Sequence, residues 1–368
     1  MAVGIEQLDD FVASYLQEYP MGSWQDISLP LQHYMFADRL FDAANKREMS
    51  TSQCKWKLKV DNNDNFQVVG LYHRDTSSRV NVLTEGSMKW GMTTTNYHYD
   101  IDEETFAQGA KAIVNYLDLQ EQGLMQDFFA GIEDLMFGAG PTSPTQSPFP
   151  PVSLLHWITS TDDSTTENNS EEGFDGYEPL GFGSVGVGGV SCTTYAQWRN
   201  RTFPYTTVDR DDFVEKVINS MDLCSFRPPV SRSDIKPEGK HRWELLTTHS
   251  RVAAARKLLQ LGNDNIKDDL AAHSGSVFIR GVPMTWVPAW TNASSVNART
   301  DGIILGIDWN TFDWYYAAGR NMRKRAPYQH PEMSNVRVRK MDDAGQIVCY
   351  NRRANFRGWS TATVTETT

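Results

Sequence analysis

Residues 100–137 read DIDEETFAQGAKAIVNYLDLQEQGLMQDFFAGIEDLMF, and this stretch carries the strongest structural signal in the chain. Apolar residues recur there every three or four positions, which predicts one long amphipathic helix. They are Phe106, Ala110, Ile113, Leu117, Leu124, Phe128, Ile132 and Leu135. Asp100 or Asp102 can cap the helix, and the Gly138-Ala-Gly-Pro141 run ends it. At about 1.5 Å per residue the helix forms a rod of roughly 50 Å.

The segment before this helix reads as an extended β-hairpin. Trp56, Leu58 and Val60 alternate with three lysines, and the Asp and Asn residues at 61–65 favour a turn. Further strands are predicted at Phe66–Tyr72, Arg79–Leu83 and Met88–Met92. A two-stranded ribbon with so few large apolar residues is marginal in water, so we expect it to rest on a partner.

The remaining elements make the class α+β, and we find no internal repeat. The first twenty residues predict an amphipathic helix, with Ile5, Leu8, Phe11, Val12 and Leu16 on one face. Two more helices are predicted at Asp209–Leu223 and Arg251–Leu261. Strands are predicted at Val152–Ile158, His241–Leu246, Gly275–Trp290 (broken by Pro283 and Pro288) and Gly302–Trp309, with a final hairpin at Arg337–Tyr350 turning on Asp342–Gly345. Thr161–Glu178 has seven acidic residues and reads as an exposed loop.

Composition excludes several classes of protein. The chain has 368 residues, 40% of them hydrophobic, which is enough for a real core. No apolar run approaches the roughly 18 residues of a membrane span, so we expect no integral membrane protein. Its four cysteines form no C-x-x-C pair, which argues against a zinc ribbon or a disulfide scaffold and fits a reducing cytoplasm.

No motif identifies a catalytic, cofactor-binding or metal-ligating residue. Gly181–Gly189 contains the G-x-G-x-x-G spacing, but a Ser/Thr-rich stretch follows it, so we interpret it as a flexible loop. The eight histidines form no H-E-x-x-H motif, and no G-x-S-x-G elbow occurs. A carboxylate pair with tryptophan sugar platforms stays open, but no pair stands out. We therefore expect neither an enzyme nor a cofactor.

Charge is distributed unevenly along the chain. The whole chain has a net charge of −11, and residues 100–137 contain nine acidic residues and one basic residue. Residues 320–357 contain ten basic and three acidic residues. This basic segment could bind nucleic acid through Tyr328, Tyr350, Phe356 and Trp359, or it could meet the acidic helix or a neighbouring subunit. We favour the second interpretation.

The order of these pieces resembles the major capsid protein of tailed bacteriophages, the Hong Kong 97 type. The residues that resemble it most closely are His241-Arg-Trp-Glu-Leu-Leu246, Val252–Leu261, Phe278-Ile-Arg-Gly-Val-Pro-Met284, Gly302-Ile-Ile-Leu-Gly-Ile-Asp308 and Val336–Phe356. The resemblance is one of layout over nearly the whole chain. It implies an N-terminal arm at 1–50, an E-loop hairpin at 51–100, a peripheral (P) domain with a spine helix and an acidic loop insertion at 101–180, an axial (A) domain at 181–310 and a return to the P domain at 311–368.

The resemblance also implies a function and partners. The chain would assemble with copies of itself, as hexamers and pentamers, into an icosahedral shell enclosing phage double-stranded DNA. Scaffolding, portal and possible decoration proteins would be further partners, DNA contact would be weak and non-specific, and the protein would assemble in the host cytoplasm and reside in the virion. An encapsulin-type nanocompartment subunit and a soluble carbohydrate-active enzyme are the alternatives.

Three finer expectations follow from the resemblance. Met1 lies close to the arm, which implies a separate scaffolding protein or none. Lys55, Lys57, Lys59 or Lys89 could approach Asn351 or Asn355 of a neighbour, but no desolvated carboxylate is evident, so we predict no covalent crosslink. The hairpin lysines would instead meet the acidic helix of a neighbouring subunit, with Trp56, Leu58 and Val60 adding burial there.

Overall fold

The computed structural model describes residues 35–41, 45–60, 65–71, 83–101, 110–138, 140–164, 166, 168, 170–224, 243–261, 277–291 and 302–360. The amphipathic helix expected in the first twenty residues lies outside them. The helices in the described part are α1 Met35–Leu40, α2 Ala110–Phe137, α3 Leu154–Trp157, α4 Glu215–Cys224, α5 His249–Leu261 and α6 Pro288–Thr291. The strands are β1 Lys46–Met49, β2 Cys54–Lys59, β3 Leu83–Met88, β4 Gly91–Asp100, β5 Gly173–Gly176, β6 Asn200–Tyr205, β7 Trp243–Thr247, β8 Val277–Ile279, β9 Val282–Trp286, β10 Ile304–Asp308, β11 Phe312–Ala317, β12 Arg323–Lys324, β13 Tyr328–Gln329, β14 Val336–Cys349 and β15 Phe356–Ser360.

A six-stranded sheet is built around the long strand β14. Strand β14 pairs antiparallel with β4 along residues 336–345 and with β11 along residues 345–349, and the short strands β12 and β13 also pair with it. Strand β1 adds to β11 in parallel. Helix α2 lies against this sheet, with Leu124, Phe128, Ile132 and Met136 buried at four-residue spacing. This stripe confirms the predicted helix over the described residues.

A seven-stranded sheet has the order β5-β6-β15-β10-β7-β9-β8. Strands β6 and β15 are parallel, as are β7 and β9, whereas β10 runs antiparallel to both of its neighbours. Helix α4 and the turn before it pack against this sheet through Phe213, Val217 and Met221, all buried as predicted. The Asp209 side chain caps the turn before α4 by accepting a hydrogen bond from the Asp212 N–H at 2.7 Å.

Several sequence-based predictions of local structure are wrong. Residues 66–71 are not a strand, and the predicted strand Met88–Met92 is split by a break between β3 and β4. Val152–Ile158 contains the helix α3 in place of a strand. Pro283 lies inside β9, and Pro288 begins helix α6 because proline fits the first position of a helix.

The predicted final hairpin is also wrong, because β14 runs without a turn through Asp342–Gly345. The two aspartates bond to neighbouring segments and do not turn the chain: Asp342 Oδ1 accepts from the Thr94 hydroxyl at 3.2 Å, and Asp343 Oδ1 accepts from the Met322 N–H at 3.1 Å. Gly345 faces the Trp314 ring, and a Cβ there would lie 2.1 Å from it. A glycine is therefore needed at this position so that the Trp314 indole can pack against the strand.

Strand membership differs from the predicted domain boundaries at four strands. Strand β1, placed in the N-terminal arm by sequence, and strand β4, placed in the E-loop, belong to the six-stranded sheet. Strands β5 and β15, placed in the P domain, belong to the seven-stranded sheet. The crossover from β14 to β15 therefore carries the chain directly from one sheet to the other, and the division into domains stays a prediction.

Candidate assembly surface

The hairpin of β2 and β3 has one buried face and one exposed face. Cys54, Trp56 and Leu58 are buried within this subunit, whereas Lys55, Lys57 and Lys59 point to solvent. The Trp56 ring meets Trp157 edge-on at 6.0 Å between centroids. The expectation that Trp56 and Leu58 bury against a neighbouring subunit is therefore wrong, because their own subunit already covers them.

Two glycines make room for the Trp56 indole. Gly86 lies opposite Trp56 in the β2–β3 register, and a Cβ there would come 2.4 Å from the ring. Gly188 has a φ of +73°, and a Cβ there would lie 2.6 Å from the same indole. Phe182 and Val187 nearby are also buried. The Gly181–Gly189 segment is thus a packed platform under the base of the hairpin, and our interpretation of it as a flexible loop is wrong.

The chain between β2 and β3 carries a strongly apolar exposed segment, residues 65–71, which we call the hairpin tip. Phe66 is 91% exposed, Val68 88% and Leu71 95%. Val69 and, at the start of β3, Leu83 are also largely exposed. Contiguous exposed apolar residues of this size mark surfaces that another molecule covers. The tip is therefore the first candidate assembly surface.

Part of the negative charge of the acidic helix α2 is neutralised by partners within the subunit. Glu121 accepts ion pairs from Lys324, at 3.2 Å, and from Arg339. Glu133 is buried and accepts hydrogen bonds from the N–H groups of Met35 and Phe36, both at 3.0 Å, which caps α1. Asp127 and Asp134 remain exposed. An interface that relies on this helix therefore has less free negative charge than the sequence suggests.

The hairpin lysines are partly compensated as well. Lys55 forms a 2.8 Å ion pair with Glu85 of β3, which lies diagonally across the hairpin from it. The side-chain hydrogen bond from Lys55 and the charges of Lys55 and Lys57 hold the pKa of Glu85 below its usual value. Such exposed pairs contribute little stability, so the outward lysines keep most of their capacity to meet a partner.

The basic segment 320–357 serves protein contacts in this subunit, as we favoured. Lys324 and Arg339 bind Glu121 of α2, and Arg325 pairs with Asp342. Phe356 is fully buried, so it cannot stack on a nucleic-acid base. Arg320, Arg323 and Arg337 are exposed, together with Tyr328. These side chains, together with the exposed Arg353, are open to a further partner.

Arg352, which sequence reasoning missed, lies at the crossover between β14 and β15 and ties it to α3 and β6. It is fully buried and donates to the carbonyl oxygens of Trp157, at 2.7 Å, and Tyr177, at 2.9 Å. It also donates to Thr159 Oγ1 at 3.1 Å, Asn200 Oδ1 at 3.2 Å and Cys192 Sγ at 2.8 Å. Burial raises the pKa of the Cys192 thiol, so the sulfur stays a neutral acceptor.

The asparagines considered for crosslinking differ in access. Asn355 is buried, where its Oδ1 accepts from the Asp308 N–H at 2.9 Å and its amide donates to Asn351 O at 3.0 Å. A neighbour's lysine cannot reach a side chain held this way. Asn351 is half-buried. The expectation that mature particles contain no crosslink stays a prediction.

Asp343 predicts a measurable pH dependence of subunit stability. It is 2% exposed, and burial raises its pKa to about 6, although the Met322 N–H and the Lys46 charge lower it. Since the folded state holds this proton more tightly than the unfolded chain, the stabilising contribution is complete below pH 4 and is lost as pH rises to about 6. As pH rises from 4 to 7, the free energy of unfolding of Asp343→Asn should increase by about 1–3 kcal/mol relative to that of wild type. Urea unfolding of both proteins at each pH measures this, and a gap that stays constant with pH would contradict it.

Within the described residues, no group of three or more His, Cys, Asp and Glu side chains is placed to hold a metal ion. Among the described helices, none has the length and apolar character of a membrane span.

Solved structures of known proteins share this architecture. No family model and no curated protein sequence matches the chain. The cyanophage A-1(L) capsid asymmetric unit matches with a TM-score of 0.59 at 12% identity, over 91% of this chain and 94% of that chain. The chain has the Hong Kong 97-type capsid fold. The α+β class and the fold expected from the sequence are thus confirmed.

Two further solved structures agree with this capsid fold. The capsid of a native GTA particle matches with a TM-score of 0.54 at 11% identity, over 95% of this chain and 96% of that chain. A Gordonia phage Cozz structure matches with a TM-score of 0.51 at 12% identity, over 95% of this chain and 94% of that chain. At these identities the similarity is one of fold, and it extends over nearly the full length of each chain.

Proposed function

We propose that the chain is a major capsid protein, which assembles with copies of itself into an icosahedral phage shell enclosing double-stranded DNA. The observation that carries the proposal is the capsid fold over more than nine-tenths of the chain. The apolar hairpin tip supports it, because a fully exposed row of large apolar side chains needs a covering partner. Hexamers and pentamers of the chain supply that partner, and the virion is the proposed location.

Imaging of the purified full-length chain tests the proposal. Negative-stain microscopy and size-exclusion chromatography are expected to show closed shells of megadalton mass. Persistent monomers under all assembly conditions would contradict it and would favour the soluble enzyme. Shells that enclose protein cargo and no DNA would favour an encapsulin-type compartment. Co-purification from infected cells tests the proposed scaffolding, portal and decoration partners and the assembly in the host cytoplasm.

DNA contact by the shell is proposed to be weak and non-specific. The chain has a net charge of −11, and much of its basic segment pairs within the subunit. Binding of free subunits to duplex DNA is therefore expected to be feeble and to fall steeply with salt. Sequence-specific binding that survives physiological salt would contradict the capsid proposal.

The outward lysines of the hairpin are predicted to steer assembly. Lys55→Glu, Lys57→Glu and Lys59→Glu together should slow assembly several-fold at low salt, because opposite charges speed encounter and fix register more than they add affinity. Light scattering during assembly measures the rate. The difference from wild type should shrink in about 0.5 M salt, where charges are screened. A slowing that is independent of salt would contradict an electrostatic role.

A further inference from the structure

The Arg251 guanidinium is buried, and the described residues place no counter-ion beside it. It belongs to the first turn of α5 and is 1% exposed. None of its three nitrogens has a hydrogen-bond partner in the described part of the chain. Its ring contact is with Tyr205, whose centroid lies 5.4 Å from Arg251 Cζ. Because removing an ion from water is costly, buried charges in proteins are normally paired, and this one calls for an anion.

The guanidinium lies where the carboxyl ends of several strands meet. Strands β6, β7 and β15 run in the same direction, since β10 is antiparallel to both β7 and β15, and β6 is parallel to β15. They end at Tyr205, Thr247 and Ser360. Gly302 has a φ of +69°, and a Cβ there would lie 2.6 Å from Arg251 Nη2 and 2.5 Å from Ser360 Cβ. This edge of a sheet is where ligands of open α/β sheets bind.

The start of helix α5 adds positive potential at the same place. The Arg251 and Val252 N–H groups donate to Thr248 O at 3.2 and 3.3 Å, so the first turn closes there. A helix N-terminus carries partial positive charge, and side chains on a helix tilt toward that end. His249 is exposed and Ser250 is half-buried, so the end of the helix reaches solvent while the guanidinium lies beneath it.

We propose that this edge of the seven-stranded sheet binds a compact oxyanion, held by Arg251 and the first turn of α5. In the particle, the oxyanion is a carboxylate of a second copy of the chain, an assignment that rests on the proposed function. A carboxylate matches the guanidinium fork, and the chain has 46 acidic against 35 basic residues. Arg251 is 1% exposed, so the neighbour's carboxylate must enter the sheet edge to reach it, which the backbone of a DNA duplex is too wide to do.

Thermal unfolding of the unassembled full-length chain tests the site without assembly. Inorganic phosphate is the probe, compared with chloride at equal ionic strength. Phosphate at ten times its dissociation constant should raise the wild-type melting temperature by about 2–4 °C and should leave Arg251→Met unchanged. Lys257→Met, an exposed cation on the same helix, is the matched control and should respond like wild type. Arg251→Lys keeps the charge without the fork and should lose at least half of the shift.

Denaturant dissociation of assembled shells tests the second-copy carboxylate. Arg251→Met should leave the free subunit at least as stable as wild type, because it removes an unpaired buried charge, yet its shells should dissociate at lower urea. Weaker shells without a phosphate response still support a carboxylate from the neighbour. A phosphate response in a chain that forms no shells supports the oxyanion site while the proposed function fails. If Arg251→Met lowers the stability of the free subunit and of the shell equally, and wild type shows no phosphate response, the inference is overturned. Arg251 would then serve only to pack on Tyr205.

Discussion

Replacing Phe66, Val68 and Leu71 with serine is expected to abolish shell assembly and to leave the subunit folded. These three side chains are nearly fully exposed in the subunit, so their removal takes nothing from its core. The free energy of unfolding of the unassembled chain should therefore change by no more than about 0.5 kcal/mol. Urea unfolding of unassembled wild type and variant measures this part.

The loss of assembly should be large, because each apolar side chain buried in a contact stabilises it by about 1.5–3 kcal/mol. Three such losses amount to roughly 5 kcal/mol or more at every inter-subunit contact. Since 1.4 kcal/mol corresponds to a factor of ten, the concentration needed for assembly should rise more than a thousandfold. Sedimentation and negative-stain imaging over a concentration series measure it.

A matched control uses exposed apolar residues away from the hairpin. Leu223, Phe278 and Met333 are each more than half exposed and lie on separate elements. Their triple serine variant removes a comparable apolar composition without touching the tip, so its assembly should stay within a few-fold of wild type. Equal effects of the two triple variants, or normal assembly of the tip variant, would show that the tip is not the covering contact.

The regular elements were predictable because their signals are local. Helices α2, α4 and α5 follow from apolar spacing, and strands β2, β7 and β10 follow from alternation or from continuous apolar runs. The order of these elements along the chain was enough to indicate the capsid fold. No single motif indicated it, which agrees with identities of 11–12% to the solved capsids.

The errors arose where tertiary contacts override local chemistry. Asp342 and Asp343 have the composition of a turn, but Thr94 and Met322 bond to them inside a continuous strand. Trp56 and Leu58 read as a surface for a neighbour because their own covering residues, such as Trp157 and Gly188, lie more than 90 positions away in the chain. Sequence alone contains no signal for such long-range contacts.

Charges were the least predictable part of the candidate surface. The residue count predicts a strong negative charge on helix α2. In the structure, however, Glu121 forms ion pairs with Lys324 and Arg339, and Glu133 accepts hydrogen bonds at the start of α1. Arg352 looked like one of ten basic residues in a cationic segment, although it is fully buried. Only the folded structure distinguishes a buried, hydrogen-bonded charged side chain from a charged side chain on the surface.

Arg352→Met is expected to destabilise the subunit by about 3–5 kcal/mol, the largest loss we predict for a single substitution, because several buried hydrogen bonds are lost together. Methionine fills much of the space of the arginine stem but donates no hydrogen bond. The carbonyl oxygen of Trp157 then loses its donor in a buried region, whereas Tyr177 O and Asn200 Oδ1 keep their hydrogen bonds from Thr159. Each acceptor left unsatisfied costs about 1–3 kcal/mol unless water reaches it. Urea unfolding of the unassembled chain measures the total.

The neighbouring Arg353 provides the control within the same turn. It is exposed and stacks on the Phe174 ring, with Cζ 4.3 Å from the centroid, so Arg353→Met should cost no more than about 1 kcal/mol. Hydrogen exchange adds a local readout: the Ile158 N–H, which bonds to Leu154 O, should lose protection in Arg352→Met and keep it in Arg353→Met. Because Arg352 ties the crossover of the two sheets to α3 and β6, its loss should also lower the cooperativity of unfolding, seen as a smaller denaturant slope. Equal effects of the two substitutions would mean that the buried hydrogen bonds of Arg352 do not stabilise the crossover.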